Sequence, residues 1–185
     1  SLSVTDFLPH AEKLERAGVQ LSRTFLNIGA QDGKTEDPVY SFVEKYGAKG
    51  IYFEKDVDYC RRADENLNFT QRIICAGVTP MNLMELLNKH GGEGIQQGQR
   101  HFDLIKIDID SYDAVILKIL LENHFSAKMI FLEVNPAIPP PYKFATNYHS
   151  ELFETMIASS MQDWPLRGMV NVSLAAYIIS ILFNF

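Results

Sequence analysis

The feature that most constrains the fold is an apolar strand, residues 24–30, that runs into a turn framed by Gly29 and Gly33. A second apolar stretch, residues 50–54, follows at the spacing of a βαβ unit and ends in the carboxylate of Glu54. In an open α/β sheet, such a turn lets a ligand approach the backbone, and the acid accepts hydrogen bonds from ribose hydroxyls. The pattern therefore predicts a site for an adenosine-containing cofactor.

Apolar runs of strand length alternate with amphipathic segments of helix length, which is typical of a doubly wound, mostly parallel α/β sheet. After the first strand, further strands are predicted at residues 50–54, 71–75, 102–109 and 129–134. Helices are predicted at residues 37–46, 57–67, 80–89, 112–122 and 149–160, with a further one near 174–181. We expect one domain over residues 1–185, with a core of 24–135 and a lid and acceptor region of about 136–170.

The charge and the cysteines narrow the choice of partner and compartment. The formal net charge is -6, and no basic stripe is available to neutralise phosphates, so a nucleic acid is not expected as the main partner. The longest apolar run, residues 174–183, reads as a core helix or strand and is far shorter than the roughly 20 residues that cross a bilayer, so no membrane span is expected. Cys60 and Cys75 show neither a disulfide framework nor metal-ligand spacing, which favours packing cysteines and a reduced, cytoplasmic location.

Spacing separates three kinds of nucleotide site. A P-loop, G-x-x-x-x-G-K-[ST], needs one more residue than Gly29 and Gly33 leave between them. A dinucleotide fingerprint needs a glycine where this chain has Asn27, and Asp32 places a negative charge beside any phosphate. A phosphate-free adenosine cofactor with a cationic amino-acid end fits the acidic turn better, and S-adenosylmethionine is such a cofactor. An NAD-dependent oxidoreductase is a less favoured alternative.

Residues 24–142 resemble the FkbM-like branch of the class I S-adenosylmethionine-dependent methyltransferases. The matching segments, in the family's order, are FLNIGAQDG, IYFEKD, ICAGVT, FDLIKIDIDSYD and FLEVNPAIPPP. The resemblance implies a Rossmann-like methyltransferase fold and O-methylation of a small-molecule, sugar or natural-product hydroxyl. Because the chain stops soon after residue 177, where the family continues into a final strand pair, we expect the last strands to be lacking or truncated.

Carried onto this sequence, the resemblance implies three contacts with the cofactor. Glu54 would accept the ribose hydroxyls. The adenine would contact Ala76, Gly77 and Val78, and the methionine part would contact Asn27, Gly29, Ala30, Gln31, Asp32, Gly33 and Asp108. The family's turn usually begins with an acid, whereas Asn27 offers an amide oxygen without a charge.

Methyl transfer from a sulfonium is an in-line displacement, so a base is needed only for a poorly acidic hydroxyl. Asp108, Glu133 and His149 are the candidates for that base, and the sequence does not choose among them. A non-catalytic binding or interaction module that retains the fold is the alternative to an enzyme, and Asn27 favours it slightly.

Strand alternation predicts that Lys106, Asp108 and Asp110 share one face of the fourth strand. An unpaired buried charge is costly, so Lys106 is expected to pair with Asp108 or with an acid on a neighbouring strand. Together with Glu133 and Asn135, the two aspartates form an oxygen-rich group of the type that binds Mg²⁺ or Ca²⁺, although no metal is predicted.

Overall fold

The computed structural model describes residues 7–35, 37–68, 71–90, 98–109 and 112–132, and the backbone of 177–179. Its helices are α1 (Leu8–Arg16), α2 (Tyr40–Tyr46), α3 (Val57–Asn66), α4 (Leu83–His90) and α5 (Asp113–Glu122). Its strands are β1 (Thr24–Ile28), β2 (Lys49–Glu54), β3 (Arg72–Cys75), β4 (His101–Ile107), β5 (Ser126–Leu132) and β6 (Tyr177–Ile179).

The described strands form one sheet in the order β3-β2-β1-β4-β5-β6. The strands from β3 to β5 are parallel, and β6 runs antiparallel to β5. The order reverses between β1 and β4, which is where open α/β sheets place their ligand crevice, at the carboxyl ends of the strands. The predicted doubly wound, mostly parallel, Rossmann-like class is confirmed.

Each face of the sheet buries a separate apolar cluster because successive side chains along a strand point to opposite faces. One face carries Leu26 and Ile28 of β1, and its cluster includes side chains of α4 and α5. The other face carries Phe25 of β1, and its cluster includes side chains of α1 and α2. The side chains of β4 alternate as predicted, since Leu104, two residues before Lys106, belongs to the second cluster and Ile105 to the first.

Helix α1 was not expected from the sequence. Its one buried residue is Ala11, and Phe7 just before it is fully buried against Phe131, with ring centroids 5.7 Å apart. The Tyr46 hydroxyl donates to the Glu15 carboxylate over 2.7 Å and joins α1 to α2. A proline in the first turn and strong helix formers after it are local signals for this helix, and the tertiary contacts add to them.

The region after β5 contains a strand rather than the predicted helix over 174–181. Residues 177–179 pair antiparallel with residues 130–132 of β5, so the helix prediction is wrong there. Tyr and Ile favour strands, and these residues extend a sheet that is already formed. At least one strand therefore follows β5, while the predicted helix at 149–160 and the lid region lie outside the described residues.

Two helices begin later than predicted. Helix α2 begins at Tyr40 rather than at residue 37, and α4 begins at Leu83 rather than at residue 80. Before α4, the Thr79 amide donates to Asn82 Oδ1 over 2.7 Å and the Asn82 amide donates to Thr79 Oγ1 over 3.2 Å, as in a capping box. Within the described ranges, no helix is long and apolar enough to cross a membrane.

A disulfide joins Cys60 to Cys75, so the expectation of two packing cysteines is wrong. The crossover from β2 through α3 to β3 places the first turn of α3 against the end of β3, and the two Cα atoms lie 5.9 Å apart. That separation is within the usual disulfide range of about 4.4–6.8 Å. The pairing arises from tertiary structure, and it removes the basis on which a reduced compartment was predicted.

Reduction of this disulfide is expected to lower the free energy of unfolding by about 2–3 kcal/mol, because the bond closes a loop with a sequence separation of 15. Urea denaturation with and without dithiothreitol measures the difference, and Cys75→Ser serves as the control that should not respond to the reductant. Two free thiols in the untreated, denatured protein would contradict the pairing.

Candidate functional site

The turn after β1 is held from both sides at the point where the strand order reverses. The Gly29 and Ala30 amides both donate to the Phe53 carbonyl of β2, over 2.9 Å and 3.1 Å. On the other side, the Asp108 amide donates to the Ile28 carbonyl over 3.0 Å. Gly29 has a φ of +81°, and a Cβ there would lie 1.8 Å from the Asp108 carbonyl oxygen. Both the conformation and the close approach therefore require glycine at this position.

Glu54 ends β2 beside this turn, and the residue is 6% exposed. Its Oε2 accepts from the Gln31 amide over 2.7 Å, and its Oε1 accepts from the Asp56 amide over 2.9 Å. A carboxylate has about four lone-pair directions, so two remain for further donors such as hydroxyl groups. Glu54 thus connects the turn to the end of β2 and retains acceptor capacity.

Asp32 shapes the turn through its own side chain. Its Oδ1 accepts from the Lys34 amide over 3.0 Å and from the Thr35 amide over 2.6 Å. Partial burial alone would raise the pKa of Asp32, but the hydrogen bonds from Thr35 and Lys34 outweigh it, so the pKa lies below its ordinary value. The carboxylate is therefore charged at neutral pH and keeps this turn acidic.

The loop after β3 is fixed by two side chains that the sequence analysis did not single out. The Tyr112 hydroxyl donates to the buried Val78 carbonyl over 3.2 Å, and Asn82 Nδ2 donates to the Gly77 carbonyl over 2.9 Å. Asn82 lies three residues after Thr79, which is the spacing of a capping box, so the sequence carries a local signal for the Asn82 contact. The Tyr112 contact joins residues far apart in the chain and has no such signal.

A buried polar cluster lies beneath the turn. Asn27 Nδ2 donates to Asp37 Oδ2 over 2.8 Å, and the Val39 amide donates to Asp37 Oδ1 over 2.9 Å. Lys106 Nζ donates to the Gly29 carbonyl and lies 3.3 Å from Asp108 Oδ2. The predicted pairing of Lys106 with Asp108 is confirmed. Asp37 was missed, because nothing in the local sequence marks it as the partner of a residue in β1.

The ionisation of Asp37 makes stability depend on pH. Burial raises its pKa above the ordinary value of 3.8, and the nearby charge of Lys106 opposes this only in part. The folded state then holds the proton more tightly than the unfolded state, so stability falls as pH rises from the unfolded pKa through the folded one. The Asp37→Asn variant has no carboxyl group at this position and therefore does not ionise. Relative to the native protein, its free energy of unfolding is therefore expected to increase between about pH 4 and about pH 7.

Urea denaturation of the native protein and of Asp37→Asn at several pH values checks this expectation. Asp32→Asn is the matched control: because the pKa of Asp32 is lowered on folding, its stability relative to the native protein should decrease as the pH rises to about 4 and then stay level up to about pH 7. Parallel pH profiles for the native protein and Asp37→Asn would contradict the assignment.

The structure places the predicted site residues that it describes along one edge of the sheet. They lie at the carboxyl ends of β1, β2 and β4 or in the loops that follow β1 to β4, namely Asn27, Gly29, Ala30, Gln31, Asp32, Gly33, Glu54, Ala76, Gly77, Val78 and Asp108. Glu133, His149, Asp110 and Asn135 lie outside the described residues. Among the residues that are described, no three His, Cys, Asp or Glu side chains are grouped so as to hold a metal ion.

No family model and no curated protein matches the chain. Among solved structures, yhhF from Escherichia coli, described as a methyltransferase, is 16% identical with a TM-score of 0.48, and 76% of this chain and 75% of that chain are covered. An RNA methyltransferase from Salinibacter ruber in complex with S-adenosyl-L-homocysteine is 17% identical with a TM-score of 0.41, covering 67% and 73%. A SAM-dependent methyltransferase from Thiobacillus denitrificans, in complex with the same ligand, is 12% identical with a TM-score of 0.39, covering 70% and 51%. At these identities and scores, the likenesses carry no evidence on what this chain binds or does.

Proposed function

We propose that the chain is a methyltransferase that uses S-adenosylmethionine. The observation that carries this proposal is Glu54, a buried carboxylate fixed by two backbone amides beside the Gly29 turn, at the reversal of the strand order. An acid in that place suits ribose hydroxyls. The acidic turn around Asp32 disfavours a phosphate and suits a cofactor whose reactive end is cationic.

The buried groups at the turn fit such a cofactor. Asn27 Oδ1 is buried and has no hydrogen-bond partner among the described residues, so a donor from a ligand would satisfy it. Ala76, Gly77 and Val78 follow the strand next to Glu54 and would border the adenine, on a loop that Tyr112 and Asn82 hold in place.

When bound, the cofactor supplies an activated methyl group on a sulfonium. The residues of this chain would hold that group in line with the acceptor, which is the main task in such a displacement. For a hydroxyl acceptor, Asp108, Glu133 or His149 would take the proton. Asp108 is the one of the three that the structure describes, and its side chain is 20% exposed next to Lys106.

We further propose that the acceptor is the hydroxyl of a small molecule, a sugar or a natural product, as in the family that the sequence resembles. The net charge of -6 supports a small acceptor over a nucleic acid, whose phosphates would be repelled. A cytoplasmic location stays a prediction, and the Cys60–Cys75 disulfide argues against the reduced cysteines on which it was based.

Calorimetric titration with S-adenosylmethionine and S-adenosylhomocysteine tests the cofactor, with NAD and ATP as phosphate-containing controls. We expect saturable binding of the first two and none of the controls. Absence of heat with both adenosyl ligands at about millimolar concentration would overturn the proposal. Methyl consumption across a panel of hydroxyl acceptors then distinguishes an enzyme from a non-catalytic module, which would bind the cofactor without turnover.

A further inference from the structure

The end of β1 carries a buried amide between two polar neighbours. Asn27 is fully buried, and in the sheet it lies opposite Tyr52 of β2 and Lys106 of β4. Asp37, in the segment between β1 and α2, is 8% exposed and reaches the Asn27 amide. The cluster is therefore a polar layer between the sheet and the helices on that face, two residues before the glycine of the turn.

The carboxylate of Asp37 determines how the Asn27 amide is oriented. Both oxygens of Asp37 accept hydrogen bonds, Oδ1 from the Val39 amide over 2.9 Å and Oδ2 from the NH₂ group of Asn27 over 2.8 Å. The amide oxygen is then turned away from Asp37. That oxygen is buried and has no partner in the part of the chain that the structure describes. A buried acceptor without a donor is rare and costly, which indicates a donor that comes from a ligand.

The charges around Asn27 favour a cationic donor. Lys106 contacts the Gly29 carbonyl and Asp108, and Asp37 adds a second carboxylate to the same layer. Burial raises the pKa of Asp37, so a cationic ligand that favours its ionised form suits this cluster; once both carboxylates are ionised, Asp37, Lys106 and Asp108 together carry one negative charge in excess. An ammonium group brings both the missing donor and the balancing charge.

We propose that Asp37 is a positioning residue that supplies, through Asn27, the negative charge for the ammonium group at the amino-acid end of the cofactor. The inference rests on the proposed function and deepens it, because it accounts for a turn that begins with an amide where the resembled family usually has an acid. The carboxylate belongs to a residue ten positions later, and it acts on the Asn27 amide through one hydrogen bond.

The test compares two ligands on the full chain. S-adenosylhomocysteine carries the ammonium group, whereas 5′-methylthioadenosine has the adenosine and the sulfur without the amino-acid end. In Asp37→Asn, affinity for S-adenosylhomocysteine is expected to fall by about 10-fold or more, because a charge-assisted contact is lost, while affinity for 5′-methylthioadenosine stays within about twofold. Asn27→Asp combined with Asp37→Asn restores one carboxyl and one amide in exchanged places and is expected to recover most of the lost affinity.

Each outcome decides a separate point. If the native protein binds neither ligand, the proposed function fails. If it binds S-adenosylhomocysteine and Asp37→Asn binds equally well, or if the variant loses both ligands alike as a structural defect would cause, the role of Asp37 is overturned. Should Asp37→Asn not fold, the exchanged double variant decides: affinity near the native value supports the proposal, and loss of the preference for S-adenosylhomocysteine over 5′-methylthioadenosine contradicts it.

Discussion

Replacing Gly29 with alanine is expected to lower the free energy of unfolding by about 3–5 kcal/mol and to abolish cofactor binding. Two costs add. The φ of +81° is strained for any residue with a side chain, and the new Cβ would meet the Asp108 carbonyl oxygen at 1.8 Å. That oxygen belongs to the backbone, so relief requires β1 and β4 to separate where they carry the site.

Gly47→Ala is the matched control for this prediction. Gly47 also has a left-handed backbone, with a φ of +60°, but a Cβ there would meet nothing within 4 Å. The Gly47→Ala variant therefore has only the conformational cost, which lowers the free energy of unfolding by about 1 kcal/mol. Urea denaturation followed by circular dichroism measures both variants. A loss for Gly29→Ala no larger than that for Gly47→Ala would show that the strands adjust without cost.

Replacing Glu54 with alanine is expected to weaken the binding of S-adenosylhomocysteine by about 100-fold. Hydrogen bonds to a charged group contribute about 1.5–3 kcal/mol each, so the loss of two ribose contacts, about 3 kcal/mol at the lower end, corresponds to at least that factor. The variant also leaves the Gln31 and Asp56 amides without the acceptor they now share, which loosens the turn. Both effects act in the same direction on affinity.

Glu65→Ala provides the control for a change of charge alone. Glu65 pairs with Arg61 on the exposed side of α3, at 2.8 Å, and is expected to leave affinity unchanged. Titration calorimetry gives the affinities, and thermal unfolding shows whether each variant is folded. If the Glu54 variant is folded and binds as tightly as the native protein, its assignment to the ribose is wrong.

The sequence predicted those parts of the fold that depend on local patterns. Strict alternation along β4 placed Lys106 on the face opposite Ile105 and Ile107, and the cost of a buried charge predicted its pairing with Asp108. The position of the glycine turn and of Glu54 was likewise predicted, because the spacing between them follows from the length of one βαβ unit.

The features that were missed depend on contacts between distant segments. The Cys60–Cys75 pair forms only once α3 lies against β3, and Phe7 meets Phe131 only once the start of α1 lies against β5. The Asp37 contact with Asn27 requires the segment after the turn to fold back over β1. No local propensity records any of these encounters, so they follow from tertiary packing.

The hydrogen bonds of Gly29 determine at which stage the turn loses its conformational freedom. Its amide is bonded to β2 through Phe53 and its carbonyl to β4 through Lys106, so both peptide groups are held by neighbouring strands before any ligand arrives. The conformational entropy of this turn is lost during folding rather than during association. A ligand that reaches the end of β1 therefore meets a preorganised surface, and its binding energy is not reduced by the ordering of this turn.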